Sequence, residues 1–502
     1  MTAVLAIDQG TTGSTALVFS QEGEILGRAY CEFTQFYPKP GWVEHDPEEI
    51  WRVSHKVMAG ALADAGIDRS HLTAIGITNQ RETAVVWDRT TGKPVHPAVV
   101  WQSRQSAGIC ASLKSDGLEP LIREKTGLLV DPYFSGTKIR WILDQDPTLQ
   151  QRAEGGDLLF GTIDSWLLWK LTGGTAGAGA LHRTDPTNAS RTLLYNIHEQ
   201  AWDHELCEIL NVPVSMLPEV RPSAGVFGET DLIDDLPPGV PIAGIAGDQQ
   251  AALFGQGCWE PGQAKNTYGT GCFMVMNMGL QHPISRNGLL TTICCDAHGA
   301  PAYALEGSVF IAGAAVQWLR DELRIIDDVA ESESLACQIE SNEGVYLVPA
   351  FAGLGAPHWD MDARGALLGL TRGAGRAHLA RAVLESIAYQ SRDVFEAMKL
   401  DSGIELNELR VDGGASRNSF LMQFQADILN VTVDRPKIVE TTAVGAAFLA
   451  GLATGVWSGP SELDSIRRTD CRFEPDMDES QREALCAGWL NALNRVSSDQ
   501  PG

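Results

Sequence analysis

Near its start the chain reads Asp8-Gln9-Gly10-Thr11-Thr12-Gly13-Ser14-Thr15, between the apolar runs Val4–Ile7 and Ala16–Phe19. Gly10 and Gly13 allow a tight bend and a close backbone approach. Thr11, Thr12 and Ser14 add hydroxyls, and backbone N–H groups in such a turn can cradle phosphate oxygens without a net positive charge. Asp8 by itself would repel a phosphate. A divalent ion between them removes the conflict, and Mg²⁺ commonly binds through carboxylates, waters and nucleotide phosphates. An ordinary β-hairpin with a polar turn is written in the same letters, so this turn needs company before it means anything.

The second half of the chain supplies it. Gly269-Thr270-Gly271 follows the strand-like Ala264–Tyr268, and Asp412-Gly413-Gly414-Ala415-Ser416-Arg417-Asn418 follows Glu408–Val411. Each sets glycine beside a hydroxyl, Asp or Asn at the end of an apolar run. Three such turns in both halves point to a nucleotide held across an interdomain cleft. Other phosphate-binding patterns are missing: there is no G-x-x-x-x-G-K-[ST], no G-x-G-x-x-G, and no H-R-D with D-F-G. Two further polar groups end apolar runs. Asn79-Gln80-Arg81-Glu82 joins the strands expected at Leu72–Thr78 and Thr83–Trp87, and Asp248-Gln249-Gln250 follows Pro241–Gly247. Charged residues on a tight turn after a strand suit a site, and a solvated turn is the plain alternative.

The elements that must carry these groups are readable. Asp46 as a cap, Pro47, and acids in the first turn start a helix over 47–65. Helices are also expected over 155–171, 378–398, 420–429 and 443–453, the last rich in small residues that permit close packing. Gly173–Ala180 is a loop by composition. The Gly/Pro-rich stretch from Gly255 to Gly262 marks the domain boundary, giving domains 1–255 and 256–502. The tail after Arg495 is expected to fray.

The chain has 502 residues, 44% hydrophobic and 20% charged, which is enough for two or more domains with large cores. A net charge of −26 argues against a general nucleic-acid or acidic-membrane binder. Ten cysteines without a C-x-x-C pair read as buried thiols in a reducing compartment. No basic leader with an apolar core and no run of ~18 apolar residues is present, so a cytoplasmic protein without membrane insertion is expected.

The segments above, with Tyr37–Asp46, Thr78–Thr83, Gly161–Trp166, Asp185–Arg191, Gly247–Gln250, Tyr268–Phe273, Phe351–Trp359 and Leu384–Arg392, resemble the FGGY family of carbohydrate kinases over nearly the whole chain. Within it the sequence is most similar to the members that phosphorylate glycerol. The resemblance implies an α/β, two-lobed actin/hexokinase/Hsp70-like (ribonuclease H-like) fold. Domain 1–255 would bind polyol and phosphate, and domain 256–502 the adenine nucleotide. It implies ATP-dependent conversion of glycerol to sn-glycerol 3-phosphate, with Asp248 as general base and Mg²⁺ held by Asp8 and Asp248. The polyol pocket it implies is Arg81, Glu82, Trp101, Tyr133, Asp248, Gln249 and Phe273. The nucleotide residues are Thr11, Thr12, Gly13, Thr270, Gly313, Gln317, Gly414 and Asn418. A homodimer or homotetramer is also implied. Kinases for dihydroxyacetone or erythritol, and an actin- or Hsp70-like ATPase switch, are the rival readings of the same fold.

Three places depart from the family pattern. Thr15 stands where an arginine is expected. Gly173–Ala180 is an insertion. The 229–240 loop carries Asp231, Asp234 and Asp235 and no arginine, where some bacterial relatives bind fructose 1,6-bisphosphate through a Gly-rich, Arg-containing segment. Three carboxylates repel a bisphosphate, so millimolar fructose 1,6-bisphosphate should leave the initial rate of phosphorylation unchanged; tight inhibition in that assay would contradict this.

Overall fold

Val4, Leu5, Ala6 and Ile7 are fully buried, as are Ala16, Leu17 and Val18. Runs that are apolar on both faces need cover on both faces, so they become interior strands of a sheet. In the computed structural model, which describes residues 2–231 and 233–498, this sheet has six strands. They are β1 (Ala3–Gln9), β2 (Gly13–Ser20), β3 (Ile25–Glu32), β4 (Leu72–Asn79), β5 (Ala224–Glu229) and β6 (Pro241–Gly247). Their order is β5-β6-β4-β1-β2-β3. β1, β2 and β3 form an antiparallel meander, and β4 runs parallel to β1 and to β6.

Register matters most here. Gln9 lies opposite Asn79, and Asn79 opposite Gly247. Three parallel strands therefore end level, and the residues that leave them, Gly10, Gln80 and Asp248, start from one edge of the sheet. Ligands of open α/β sheets bind outside the carboxyl ends of their strands.

The described chain forms two compact units. The first holds residues up to Trp259, Thr291–Tyr303 and Thr441–Arg467; the second holds Glu260–Leu290, Ala304–Glu440 and residues from Arg468 onward. The first unit thus takes back a late helix, Thr441–Thr454, which packs on its sheet through small residues. A Cβ at Gly76 of β4 would lie 2.2 Å from the Ala446 carbonyl oxygen, and one at Gly244 of β6 would lie 2.5 Å from the Ala450 nitrogen. The Pro47–Ala65 helix matches its expected span, with the Asp46 carboxylate accepting from the Glu48 N–H at 2.9 Å and Gly66 closing it at φ 61°. Val57, Met58, Ala61 and Leu62 of this helix join Leu5, Ile7, Ile75 and Ile77 in the core.

One expected helix is shorter than its apolar pattern. Residues 155–171 divide into a strand, Leu158–Gly161, and a helix, Ile163–Leu171. The strand pairs antiparallel with Val85–Asp88. A four-residue apolar run reads equally as helix or strand, and here a partner strand decides it.

The second unit repeats the plan. Its strands are β7 (Ala264–Tyr268), β8 (Cys272–Gly279), β9 (Pro301–Val309, in this unit from Ala304), β10 (Glu408–Asp412), β11 (Thr432–Pro436) and β12 (Thr469–Phe473), in the order β9-β8-β7-β10-β11-β12. β7 is antiparallel to β8 and parallel to β10, and β10 is parallel to β11. Helices Arg376–Ser402 and Ser419–Leu429 bury apolar faces in this unit. Mixed sheets with flanking helices in two units agree with the expected α/β class. Of the 229–240 loop, Leu232 lies outside the described residues; Asp235 pairs with Arg69 at 3.1 Å. The expected frayed tail is anchored as far as Ser498, whose N–H and hydroxyl both donate to the Asp360 carboxylate at 2.7 Å; Asp499–Gly502 lie outside the described residues.

Gly445, on the late helix, has no room for a side chain: a Cβ there would lie 1.8 Å from the Ala251 carbonyl oxygen. Gly445→Ala should cost about 1–3 kcal/mol, read as a lower urea midpoint at unchanged slope.

Candidate active site

Arg81, Glu82 and Arg191 are 2%, 1% and 0% exposed. Buried charges persist only when paired and hydrogen-bonded, so the Asn79–Glu82 turn is not a solvated one. Arg81 is held on every side. Its Nε lies 3.1 Å from Asp248 Oδ1, its Nη1 donates to Gln250 Oε1 at 3.2 Å, and its Nη2 donates to the Tyr133 hydroxyl at 3.4 Å. A Cβ at Gly247 would lie 2.7 Å from Arg81 Cγ; the bare backbone before Asp248 is what lets the arginine cross the strand end.

Glu82 sits at φ 59°, a left-handed conformation uncommon for a residue with a side chain. It turns the carboxylate inward, where Oε1 accepts from Arg191 Nε at 2.6 Å, and its carbonyl accepts from the Ser135 hydroxyl at 3.0 Å. Trp101 links the pocket to the opening turn. Its Nε1–H donates to Thr11 Oγ1 at 2.9 Å, and its ring meets Tyr133 edge-on at 5.5 Å. Asp248 opens the Asp248–Gly255 helix, and its Oδ1 also accepts from the N–H of buried Gln249 at 2.7 Å. Thus Asp8, the Thr11–Gly13 turn, Arg81, Glu82, Trp101, Tyr133, Asp248 and Gln249 share one edge of the first unit.

Burial, and next the neighbouring Asp248 carboxylate, push Asp8 up to about 7. A dication beside Asp8 would offset the burial and the neighbouring Asp248 charge that hold this carboxyl up. No group of three or more His, Cys, Asp or Glu side chains able to hold a metal occurs among the described residues. Mg²⁺ is commonly held through one or two carboxylates plus substrate phosphates rather than in a dedicated protein cage.

The second unit gathers its own set. The Gly313–Asp321 helix starts on the Gly269–Gly271 turn: the Gly313 N–H donates to the Gly269 carbonyl at 3.0 Å, and the Ala314 N–H to the Thr270 carbonyl at 3.1 Å. Gln317 is exposed one turn along. Gly413, at φ 84°, brings the turn after β10 against the end of β7; a Cβ there would lie 2.6 Å from the Tyr268 carbonyl oxygen. Gly414 is exposed, and Asn418 caps the Ser419–Leu429 helix by accepting from the Leu421 N–H at 2.9 Å. Phe273 lies on β8, half-buried, its carbonyl accepting from Lys265 Nζ at 3.2 Å.

Sequence reasoning gave no role to Asp185, Thr187, Asn188 or Arg191, yet all four are fully buried and tie the strand ends together. Asn188 and Asn79 exchange side-chain amide bonds at 3.0 and 3.1 Å. The Gly247 N–H donates to Thr187 Oγ1 at 2.8 Å, and Thr187 and Ser223 donate in turn to Asp185 Oδ2 at 2.7 and 2.6 Å. Burial raises Asp185, and burial with Asp185 beside it pushes Asp164 up to about 7. The letters Asp185-Pro186 signal a helix cap; nothing in them says where that cap docks.

Glycine-containing turns thus end strands on the mixed sheets of both units. Residues 3–255 match the N-terminal domain, and residues 264–454 the C-terminal domain, of the FGGY family of carbohydrate kinases; the chain belongs to that family. It is 59% identical over 493 residues to a glycerol kinase of Petrotoga mobilis, and 60% identical over 493 residues to one of Carboxydothermus hydrogenoformans, covering 98% of each chain in both cases. The solved Plasmodium falciparum glycerol kinase with ADP is 37% identical with a TM-score of 0.91, covering 99% of this chain and 98% of that one. A xylulose kinase from Lactobacillus acidophilus shares the fold, with a TM-score of 0.89 at 20% identity over 99% of both chains. The expected actin/hexokinase-like class therefore stands.

Removing Arg191 takes from the buried Glu82 carboxylate its closer cation, at 2.6 Å, and leaves Arg81 Nε at 3.8 Å. Arg191→Met should cost about 3–5 kcal/mol in urea unfolding, and adding Glu82→Gln should recover part of it; strict additivity would contradict direct coupling.

Proposed function

We propose that the protein phosphorylates glycerol with ATP, giving sn-glycerol 3-phosphate and ADP. Similarity to glycerol kinases along nearly the whole chain supports this. The observation that carries it is the buried Arg81, bonded at once to Asp248, Gln250 and Tyr133 beside Glu82. A nucleotide switch has no use for a desolvated donor–acceptor fork; a small polyol does. Arg81 donates to hydroxyls, Glu82 accepts from them, Gln249 adds an amide, and Trp101, Tyr133 and Phe273 supply apolar surface for the C–H edge.

Asp248 is the general base. Arg81 and the Gln249 N–H hold its Oδ1, which leaves Oδ2 to take the proton of the attacking hydroxyl. The hydroxyl oxygen bonds to the γ-phosphorus, the bond from phosphorus to the ADP oxygen breaks, and its electron pair leaves on ADP. Alignment and charge stabilisation carry most of such a transfer. Thr11, Thr12 and Gly13 bind nucleotide phosphate from the first unit; Thr270, Gly313, Gln317, Gly414 and Asn418 bind the nucleotide from the second. Asp8 with Asp248 would hold Mg²⁺, which neutralises phosphate charge when bound. No helix among the described residues is long and apolar enough to cross a membrane; a cytoplasmic homodimer or homotetramer completes the proposal.

ADP release measured with glycerol, dihydroxyacetone, erythritol or no acceptor should show glycerol as the best substrate and little release without acceptor. Acceptor-independent release would favour the ATPase switch. Asp248→Asn should lower kcat by roughly 10²–10⁴-fold while glycerol still binds in titration calorimetry; retained turnover would remove Asp248 as the base.

A further inference from the structure

The face of the first sheet that bears Asp8 bears another chemically capable residue at the same level. Asp8 lies opposite Thr15, and Thr15 opposite Tyr30. Directly paired residues of neighbouring strands share a face, so Asp8, Thr15 and Tyr30 form one row across β1, β2 and β3. With strands roughly 4.8 Å apart, the Tyr30 backbone is about 10 Å from that of Asp8, and its side chain closes part of that gap. The ring leans along β2 towards the turn. A Cβ at Gly13 would lie 2.7 Å from Tyr30 Cε2 and 2.8 Å from its hydroxyl oxygen, so only glycine at position 13 leaves the tyrosine this place. The hydroxyl interacts with the Thr12 side chain. It donates to Glu32 Oε1 only at a long 3.4 Å, a contact easily exchanged for a better acceptor.

Tyr30 is 55% exposed, an aromatic side chain left partly in water at the lip of a phosphate-type turn. From Val4 to Gly27 the sequence holds no lysine or arginine, so β1, β2 and their connection offer phosphate only neutral donors. Thr11 is already oriented for this: Trp101 Nε1–H donates to its oxygen, which directs the Thr11 proton elsewhere. Burial and the Glu32 carboxylate hold the Tyr30 hydroxyl above its usual range, so it keeps its proton, and its capacity to donate, at neutral pH.

We infer that Tyr30 is a nucleotide-binding residue whose hydroxyl donates a hydrogen bond to a phosphate oxygen of ATP or ADP seated on the Thr11–Gly13 turn. This rests on the proposed reading of that turn as the phosphate site. The bond is made in the ground state and the transition state alike, so it lowers the KM for ATP rather than raising kcat.

Tyr30→Phe keeps the ring and removes only the donor. Titration calorimetry with ADP should show Kd raised about fivefold to tenfold, the upper part of the range for an ordinary net hydrogen bond, as suits a half-exposed site. Competition by adenosine, which has no phosphate, should be unchanged, and in steady-state assays the KM for ATP should rise while kcat and the KM for glycerol hold. Unchanged ADP affinity, or an equal loss for adenosine, overturns the assignment. If the unaltered protein bound ADP but phosphorylated no polyol, the proposed function would fall while the ADP titrations would still decide the role of Tyr30.

Discussion

A guanidinium in a dry interior has to be bonded along its whole edge, and Arg81 meets that demand by organising what surrounds it. Its Nε fixes Asp248, and its two terminal nitrogens fix Gln250 and Tyr133. Tyr133 braces Trp101, and Trp101 reaches Thr11. The phosphate-type turn and the pocket are therefore one connected object, and the strand ends beneath them must stay level for its bonds to close. That is the task of Asp185, Thr187 and Asn188, which clamp Asn79 on one side and Gly247 on the other. Such networks repay full satisfaction with rigidity, and a site that works by alignment needs rigidity more than strength.

The same economy appears in both units. Each pairs its first strand antiparallel with the next and parallel with a later one, and each places glycine-containing turns where those strands end. Glycine is used where backbones nearly touch. Gly247 makes way for Arg81, Gly413 for the end of β7, and Gly13 for Tyr30. In each case the missing side chain is the structural feature.

Much of this was legible in the letters. Strands, caps and turn residues are local, and Asp46-Pro47 or Gly10–Gly13 carry their own geometry. The resemblance to FGGY kinases named Arg81, Glu82 and Asp248 for a polyol pocket and its base, and the fold sets all three just beyond the ends of neighbouring parallel strands. What could not be read was anything fixed by distant partners. Leu158–Gly161 became a strand because Val85–Asp88 was waiting for it. Arg191 meets Glu82 across 109 positions of sequence, and no local pattern encodes such a pair. The Gly255–Gly262 break shows where the chain leaves the first unit; it holds no information on where the chain comes back.

That return has a consequence for biosynthesis. The first unit's sheet is covered in part by Thr441–Thr454, a helix made after most of the second unit. On the ribosome, β1, β4 and β6 can pair as soon as Gly247 has emerged. The shallow groove over Gly76 and Gly244, shaped for Ala446 and Ala450, then stays empty while nearly two hundred further residues are translated. Domains generally fold as units and in order of synthesis, but here the earlier unit is completed by the later part of the message. The apolar face over those glycines is thus a transient feature of every nascent copy, guarded by whatever holds growing chains apart, and a stop codon before Thr441 would leave it open for good.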